Sequence, residues 1–77
     1  MMLEIRSKWV VNYKNWYVIV TENKDVYDVK TMSKLIPTYD NGRIAHRIIG
    51  TTKRIGQLTI NKHCKLENKI YQQYIPF

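Results

Sequence analysis

The fold is decided by residues 34–49, KLIPTYDNGRIAHRII, in which two strand-like runs meet at an Asn-Gly pair. Asn-Gly is a strong hairpin signal, because both residues tolerate the left-handed backbone of a type I′ turn. Pro37 donates no backbone hydrogen bond, so Lys34-Leu35-Ile36-Pro37 is predicted to be a short edge strand. In the run after the turn, alternation predicts one face with Arg43 and Arg47 and an apolar opposite face that includes His46.

Aromatic and β-branched residues dominate the chain before this hairpin. Residues 9–21 predict a pair of strands, and residues 26–31 continue as a strand after a polar turn at 22–25. Near the C-terminus, apolar residues recur at i,i+4 spacing and predict a helix from about Ile60 to Gln72. The sequence therefore predicts an α+β, mostly β fold, with a small antiparallel sheet of four to six short strands and one C-terminal helix.

The length of 77 residues predicts a single small domain over residues 1–77. A domain of this size buries roughly 60% of its unfolded surface, so its core benefits from reinforcement. Cys64 is the single cysteine, which rules out an internal disulfide, and its spacing from the two histidines is not that of a zinc site. We therefore expect no metal and no cofactor, and keep a homodimer as the remaining common reinforcement.

The hydropathy pattern predicts a cytoplasmic protein without a membrane partner. No apolar run approaches the ~20 residues that span a bilayer. The N-terminus has no basic start followed by an apolar stretch, as a signal peptide would. A lone thiol fits a reducing compartment. Abundant Ile, Lys, Asn and Tyr have AT-rich codons, which indicates a low-GC bacterium or its phage, so the cytoplasm would be that of a bacterial host.

Charge is segregated along the chain. All six charged residues between Asn41 and Lys65 are basic, whereas the flanking segments are nearly balanced. A concentrated positive field attracts polyanions, chiefly nucleic-acid phosphates, and DNA is preferred over RNA as the partner. A solvated cationic face that only aids solubility is the alternative. The predicted nucleic-acid-binding residues are Arg43, Arg47, Lys53, Arg54, Lys62 and Lys65.

Catalysis is not expected. His46 and His63 have the chemistry of general bases, but the acidic residues form no motif with either of them. His46 lies on the apolar face of its strand, so a packed histidine is the preferred interpretation. Cys64 follows His63 directly, and neighbours in a helix point in different directions, so a buried thiol is predicted rather than a nucleophile. The three glycines are scattered and make no phosphate-binding loop.

Four aromatic residues lie close together in the sequence: Trp9, Tyr13, Trp16 and Tyr17. They have the chemistry of a base-stacking platform. Because aromatic side chains bury a large apolar area, we expect both tryptophans to serve the core of so small a domain. Some of the tyrosines are expected at the surface.

The C-terminal residues are unusually apolar and form a candidate protein-docking segment: Gln73, Tyr74, Ile75 and Phe77. Glutamine followed by apolar and aromatic residues is similar to the short peptides that dock in a bacterial replication sliding clamp. Pro76 stands where those peptides usually have leucine. The preferred alternative is that Ile75 and Phe77 fold back onto the domain.

Several short motifs follow one another through residues 17–56: Tyr17-Val18, Val26-Tyr27-Asp28, Lys34-Leu35-Ile36-Pro37, Asn41-Gly42-Arg43 and Lys53-Arg54-Ile55. In this order they resemble the β-rich module that precedes the nuclease core in phage HNH-type homing endonucleases. Asp25 replaces the glycine expected before Val26, and no HNH nuclease motif follows. The resemblance covers about half of the chain. It implies a DNA-contacting module without cleavage chemistry.

These observations together predict a non-catalytic nucleic-acid-binding protein, of the kind that phages encode as accessory or regulatory factors. The alternative is a phage-encoded inhibitor that takes part in host takeover. Such an inhibitor would bind a replication or transcription protein of the host, with its basic face against an acidic protein surface.

Overall fold

The computed structural model describes residues 2–74, and the side chains of Met2, Leu3, Asp40, Gln73 and Tyr74 are outside the description. The fold is mostly β with one short helix towards the C-terminus, as the sequence predicts. In chain order the elements are β1 (Met2–Tyr13), β2 (Trp16–Val20), β3 (Val26–Asp28), β4 (Ile36–Asp40), β5 (Arg43–Arg47), β6 (Arg54–Gly56), α1 (Gln57–His63) and β7 (Cys64–Tyr74).

The strands form two antiparallel sheets, where the sequence predicted one. The larger sheet has the strand order β3-β2-β1-β7, and the smaller sheet has the order β4-β5-β6. The chain leaves the larger sheet after β3, where only an isolated bridge joins Tyr27 to Lys34. Leu35 is then buried and its amide donates to the Val26 carbonyl oxygen at 2.8 Å. After Leu35 the chain turns away from β3, and β4 forms the first strand of the smaller sheet.

The Asn41-Gly42 turn is confirmed. Both residues have positive φ, 52° and 76°, and Asp40 pairs with Arg43 across the hairpin. The strand that contains Pro37 is an edge strand of the smaller sheet, also as predicted. A second two-residue turn with positive φ, at Lys14-Asn15, joins β1 to β2.

The predicted helix over Ile60 to Gln72 is wrong beyond His63. The helix α1 is seven residues long, and the chain is extended from Cys64 onwards as β7. The cause is β1, whose twelve residues present backbone donors and acceptors along both edges. The strand β2 covers only part of one edge, and β7 pairs along nearly the full length of the other.

A β-bulge interrupts the pairing of β1 with β7. Between the pairs Ser7–Lys69 and Trp9–Leu66, β7 has one residue more than β1. A bulge bends its strand and shifts the alternation of side chains by one position. The half-buried residues of β7 consequently have a helix-like spacing of three and four: Cys64, Glu67 and Tyr71.

A polar network holds the bulge. The fully buried Ser7 places its hydroxyl 2.7 Å from Glu67 Oε2 and 3.0 Å from the Trp9 carbonyl oxygen. The Tyr71 hydroxyl donates to the same Glu67 oxygen at 3.1 Å. Burial raises the pKa of Tyr71 above its ordinary value of 10.0, and the hydrogen bond to Glu67 and the charge of that carboxylate raise it further.

Two apolar clusters stabilise the sheets. The first joins the larger sheet to the smaller sheet and to α1, since it includes Val18, Ile55 and Ile60. The second lies on the opposite side of β2, where Ile19 packs with Met32. Fully burying an aliphatic side chain of this size contributes roughly 1.5–3 kcal/mol.

The helix among the described residues lacks the length and apolar character that crossing a membrane requires.

Candidate nucleic-acid interface

Three arginines share the outer face of the smaller sheet, and we call them the arginine face: Arg43, Arg47 and Arg54. The first two lie on the same side of β5, and Arg54 lies directly opposite Arg47 on β6. Side chains at directly opposite positions are about 4.5–5.5 Å apart at their Cβ atoms. All three are exposed. The backbone of Arg43 pairs in register with that of Asp40, next to the Asn41-Gly42 turn.

His46 fixes the orientation of β5 by packing on the inner face. It is 7% exposed, and its Nε2 lies 2.6 Å from Gln57 Oε1 on α1. This contact joins β5 to the first residue of α1. The Gln57 Nε2 donates in turn to Asn61 Oδ1 at 2.9 Å. The histidine is therefore packed, as the sequence predicts, and its burial turns the neighbouring arginines outward.

A groove of about 520 Å³ opens beside the arginine face, and we call it the arginine groove. Its walls come from four elements, β1, β5, β6 and α1, which contribute Tyr13, Arg43, Arg54 and Thr59. Two guanidinium groups and an aromatic ring thus border one depression. Such a border suits a phosphodiester backbone, because guanidinium groups bind phosphates through paired hydrogen bonds.

A second groove, of about 480 Å³, lies at the β1–β2 turn, and we call it the aromatic groove. Its lining combines three lysines with three aromatic residues: Lys14, Lys30, Lys53, Tyr13, Trp16 and Tyr17. The Lys53 Nζ lies 5.6 Å from the centre of the Trp16 ring, and the Lys14 Nζ lies 5.2 Å from that of Tyr13. Tyr13 lines both grooves, so they adjoin each other at this residue.

Lys53 is held in place by its loop. Its backbone N–H donates to Thr51 Oγ1 at 3.2 Å, and its carbonyl oxygen accepts from the Ile48 N–H at 3.2 Å. Gly50, with φ of 83°, makes the left-handed turn of this loop. The loop places Lys53 over the Trp16 ring, while the next residue, Arg54, joins the arginine face.

The other two predicted lysines lie further away. Lys62 is exposed in the last turn of α1, the helix that packs on β1, β5 and β6. Lys65 pairs with Val10, whereas the adjacent Val11 belongs to the cluster between the sheets. Because successive strand residues point to opposite faces, Lys65 lies on the face of the larger sheet that points away from the smaller one.

Two lysines of the aromatic groove were missed by the sequence analysis. Lys14 and Lys30 lie outside the basic segment, in a part of the chain where acidic residues balance the charge. The turn between β1 and β2 and the turn after β3 bring them to Lys53. Counting charges along the chain could not find them, since their proximity depends on the strand pairing. The turn position of Lys14-Asn15 between two strand-like runs was the available signal.

His63 and Cys64, which have the chemistry of catalytic residues, contact neighbouring residues of the fold. His63 faces Tyr13, with ring centres 6.0 Å apart. Cys64 is half-buried, and its Sγ lies 3.6 Å from the Asn61 carbonyl oxygen. Over residues 2–74, His, Cys, Asp and Glu side chains do not gather in threes as metal ligands would.

The candidate docking segment is only partly described. Gln73 pairs with Leu3 and Tyr74 pairs with Met2 as the last part of β7. Ile75 and Phe77 lie outside the described residues. The backbone of Gln73 and Tyr74 is thus paired with β1 along one edge of β7, which is the edge strand of the larger sheet.

Both tryptophans have the structural role that the sequence predicts, because Trp9 and Trp16 are partly buried against the first cluster. Tyr17 and Tyr39 stay at the surface, 51% and 79% exposed.

No protein-family profile matches the chain, and neither a curated protein nor a solved structure matches it significantly.

Proposed function

We propose that this protein binds nucleic acid, with DNA preferred, and that it does so without catalysis through the arginine face and the arginine groove. The observation that carries the proposal is the pair Arg47 and Arg54, two exposed guanidinium groups directly opposite each other. Like charges in this position destabilise a sheet. A phosphate between them accepts charge-assisted hydrogen bonds from both sides, so its binding offsets the repulsion.

The spacing along β5 supports contacts to more than one phosphate. Arg43 and Arg47 are four residues apart, roughly 13 Å at the rise of a β-strand. Duplex phosphates follow one another at about 3.4 Å of axial rise on each strand. The two arginines therefore reach different phosphates, and Lys53 extends the positive surface beyond Arg54. Lys62 and Lys65 add positive charge at the periphery.

Residues 17–56 resemble the DNA-contacting module of phage endonucleases, and the residue composition is that of an AT-rich genome. On these grounds we infer a phage-encoded accessory or regulatory factor that acts in the cytoplasm of its bacterial host. We propose binding rather than cleavage for this role, since residues 17–56 resemble the DNA-contacting module and not the nuclease core.

The test is a titration of labelled DNA with the purified chain between about 50 and 200 mM salt. We expect the logarithm of the affinity to fall linearly with the logarithm of the salt concentration. The double variant Arg47→Gln/Arg54→Gln is expected to reduce the slope by about 1.4–1.8, since each lost phosphate contact removes about 0.7–0.9.

The matched control is Arg6→Gln/Lys69→Gln, which removes the same net charge at exposed positions elsewhere. Lys69 pairs with Ser7, six residues before Tyr13 on β1 and so roughly 20 Å from the grooves. We expect this control to keep the slope of the parent protein. An affinity that does not respond to salt, or equal losses in both double variants, would contradict the proposal.

A second candidate is a phage-encoded inhibitor of a host replication or transcription protein. Four large apolar side chains favour it, because each is more than two-thirds exposed: Tyr39, Ile49, Leu58 and Leu66. Capture from a low-GC bacterial lysate, with and without nuclease treatment, separates the two candidates. Partners that disappear after nuclease treatment support nucleic-acid binding, and a host protein that persists supports inhibition.

A further inference from the structure

We propose that the bound nucleic acid is single-stranded and that its bases stack in the aromatic groove, chiefly on Tyr17. In this arrangement Lys14, Lys30 and Lys53 contact the phosphates that flank the stacked bases. The inference rests on the proposed function and adds the form of the ligand and a second part of the site.

The charges of the aromatic groove favour an anionic ligand. Its three lysines face one acidic lining residue, Asp28. Both oxygens of that buried carboxylate already have partners: Oδ1 accepts from the backbone N–H of Lys30 at 3.0 Å, and Oδ2 accepts from the Thr31 hydroxyl at 3.1 Å. The carboxylate therefore serves the turn after β3, and the lysine ammonium groups remain for a ligand. The groove thus keeps a net positive charge.

The aromatic side chains favour unpaired bases over a duplex. Tyr17 is 51% exposed, and its hydroxyl accepts a hydrogen bond from Asn12 Nδ2 at 3.3 Å, which restrains the ring. Trp16 and Tyr13, both half-buried, pair in register and line the same groove, on the face of the sheet opposite to that of Tyr17. In a duplex the base faces are covered by their neighbours, so a protein ring can stack on them only where the strand is single.

The two grooves provide a continuous path for a strand. Tyr13 lines both of them, and the adjacent residues Lys53 and Arg54 line one groove each. A backbone that contacts the arginine groove can therefore pass Tyr13 and enter the aromatic groove. Positive charge with interspersed aromatic rings is the usual arrangement of surfaces that bind single strands.

Trp16 lines the aromatic groove and also has an unpaired polar atom. Among the described residues, its indole N–H is a buried donor that lacks a hydrogen-bond partner. Such an unpaired donor is costly to bury, which makes Trp16 a strained part of the groove lining. The indole is also a fluorophore, so occupancy of the groove can be read directly from its emission.

The first test compares three ligands of about 16 nucleotides, the upper range of site sizes for small single-strand-binding domains. They are oligothymidine, the duplex that it forms with oligoadenosine DNA, and oligouridine RNA. We expect oligothymidine to bind at least tenfold more tightly than the duplex. The comparison of oligouridine with oligothymidine tests whether the protein distinguishes RNA from DNA. Equal affinities indicate that the sugar is not recognised, and weaker binding of oligouridine indicates a preference for DNA.

The second test removes the stacking ring without removing a charge. Tyr17→Leu is expected to weaken oligothymidine binding roughly 5- to 150-fold, the loss of about one stacked base. The salt slope should stay unchanged, because no phosphate contact is lost. Tyr17→Phe keeps the ring and is expected to retain the affinity that Tyr17→Leu loses. The matched control is Tyr39→Leu, because Tyr39 lies on β4 and is more exposed than Tyr17. This control should change the affinity less than twofold.

The third test uses Trp9→Phe, which leaves Trp16 as the single tryptophan of the chain. Oligothymidine is expected to quench its emission with the same midpoint as the binding titration. An emission that stays constant through saturation would overturn the placement of the bases.

The outcomes separate the two proposals. If no nucleic acid binds with a salt-dependent affinity, the proposed function fails and the inference fails with it. If binding depends on salt but the duplex binds as tightly as the single strand, the inference alone is overturned. The same holds if Tyr17→Leu, with the circular dichroism of the parent protein, binds no more weakly than Tyr39→Leu.

Discussion

Arg47 and Arg54 lie directly opposite each other on β5 and β6, and both side chains are exposed. Two like charges in register destabilise a sheet by ~0.2–1 kcal/mol relative to neutral pairs. The pair concentrates two guanidinium groups at one point of the surface. We therefore expect substitution of either arginine to weaken nucleic-acid binding without lowering the stability of the fold.

The first prediction concerns Arg47→Gln, which keeps the length of the side chain and removes its charge. We expect the free energy of unfolding to stay the same or to rise by up to about 1 kcal/mol, because the like-charge pair is relieved. The slope of log affinity against log salt should fall by about 0.7–0.9. Urea unfolding and a salt-dependent DNA titration measure the two effects. Arg6→Gln is the control, and a loss of stability larger than that of the control would show that Arg47 supports the fold.

The second prediction concerns the cluster between the sheets. Ile55 is 1% exposed on β6, where it packs beneath the arginine face. Ile55→Ala is expected to lower the free energy of unfolding by about 2–5 kcal/mol, and Ile55→Val by about 0.5–1.5 kcal/mol. Ile49→Ala, at a residue that is 71% exposed, should stay within about 0.5 kcal/mol of the parent protein. Equal effects at both positions would contradict the burial of Ile55.

The third prediction concerns the hairpin turn. Gly42 has φ of 76°, and a side chain there would meet open space, so strain of the backbone is the only cost of a larger residue. Gly42→Ala is expected to destabilise the protein by about 1–2 kcal/mol, the cost of a left-handed non-glycine residue. Gly56→Ala is the control, because Gly56 has φ of −73°, and its effect should be smaller. Chemical denaturation of both variants provides the comparison.

The fourth prediction concerns Tyr71, whose pKa is raised by burial and by Glu67. The folded protein holds the phenol proton more tightly than the unfolded chain does. This stabilisation is therefore fully present below pH about 10, the unfolded pKa, and is lost as the pH rises through the higher folded pKa. Tyr71→Phe is expected to cost about 1 kcal/mol near neutral pH, for the hydrogen bond to Glu67.

The difference between the parent protein and Tyr71→Phe should then shrink above pH about 10. The Lys69 ammonium lies 4.8 Å from the centre of the Tyr71 ring and is present in both proteins. Unfolding free energies from pH 7 to pH 11 measure the effect. A difference that stays constant across this range would mean that Tyr71 does not keep its proton more tightly in the folded state.

Local chemistry explains which parts of the fold could be predicted. Asn41-Gly42 and Pro37 act through their own backbone restrictions, so the sequence predicted both the turn and the edge strand. The alternation of β5 placed Arg43 and Arg47 outward and His46 inward for the same reason. None of these features depends on a distant part of the chain.

The segment from Cys64 onwards could not be predicted locally. Its apolar residues Leu66 and Ile70 have helical spacing, yet they are 79% and 42% exposed. The bulge sets the half-buried positions of β7 at a helix-like spacing of three and four, and the pairing of β7 along β1 makes the segment extended. Tertiary pairing thus overrides the local pattern.

The part of the candidate site that lies within the basic segment of the chain could be predicted from the sequence. The arginine face came from one strand and its neighbour, within the basic segment. The aromatic groove combines residues from the β1–β2 turn, the turn after β3 and the loop before β6. Only the strand order brings those three segments together, so their proximity could not be predicted from local patterns in the chain.

The pairing of β1 with β7 also has a consequence for how fast the chain folds. The two strands are joined through residues that are more than fifty positions apart in the sequence. Bringing such distant segments together costs loop-closure entropy before any contact between them is formed. We therefore expect relaxation in milliseconds to seconds, as for other β domains with high contact order, rather than the microseconds of a helical bundle. The slow step should be the docking of the final strand onto the first.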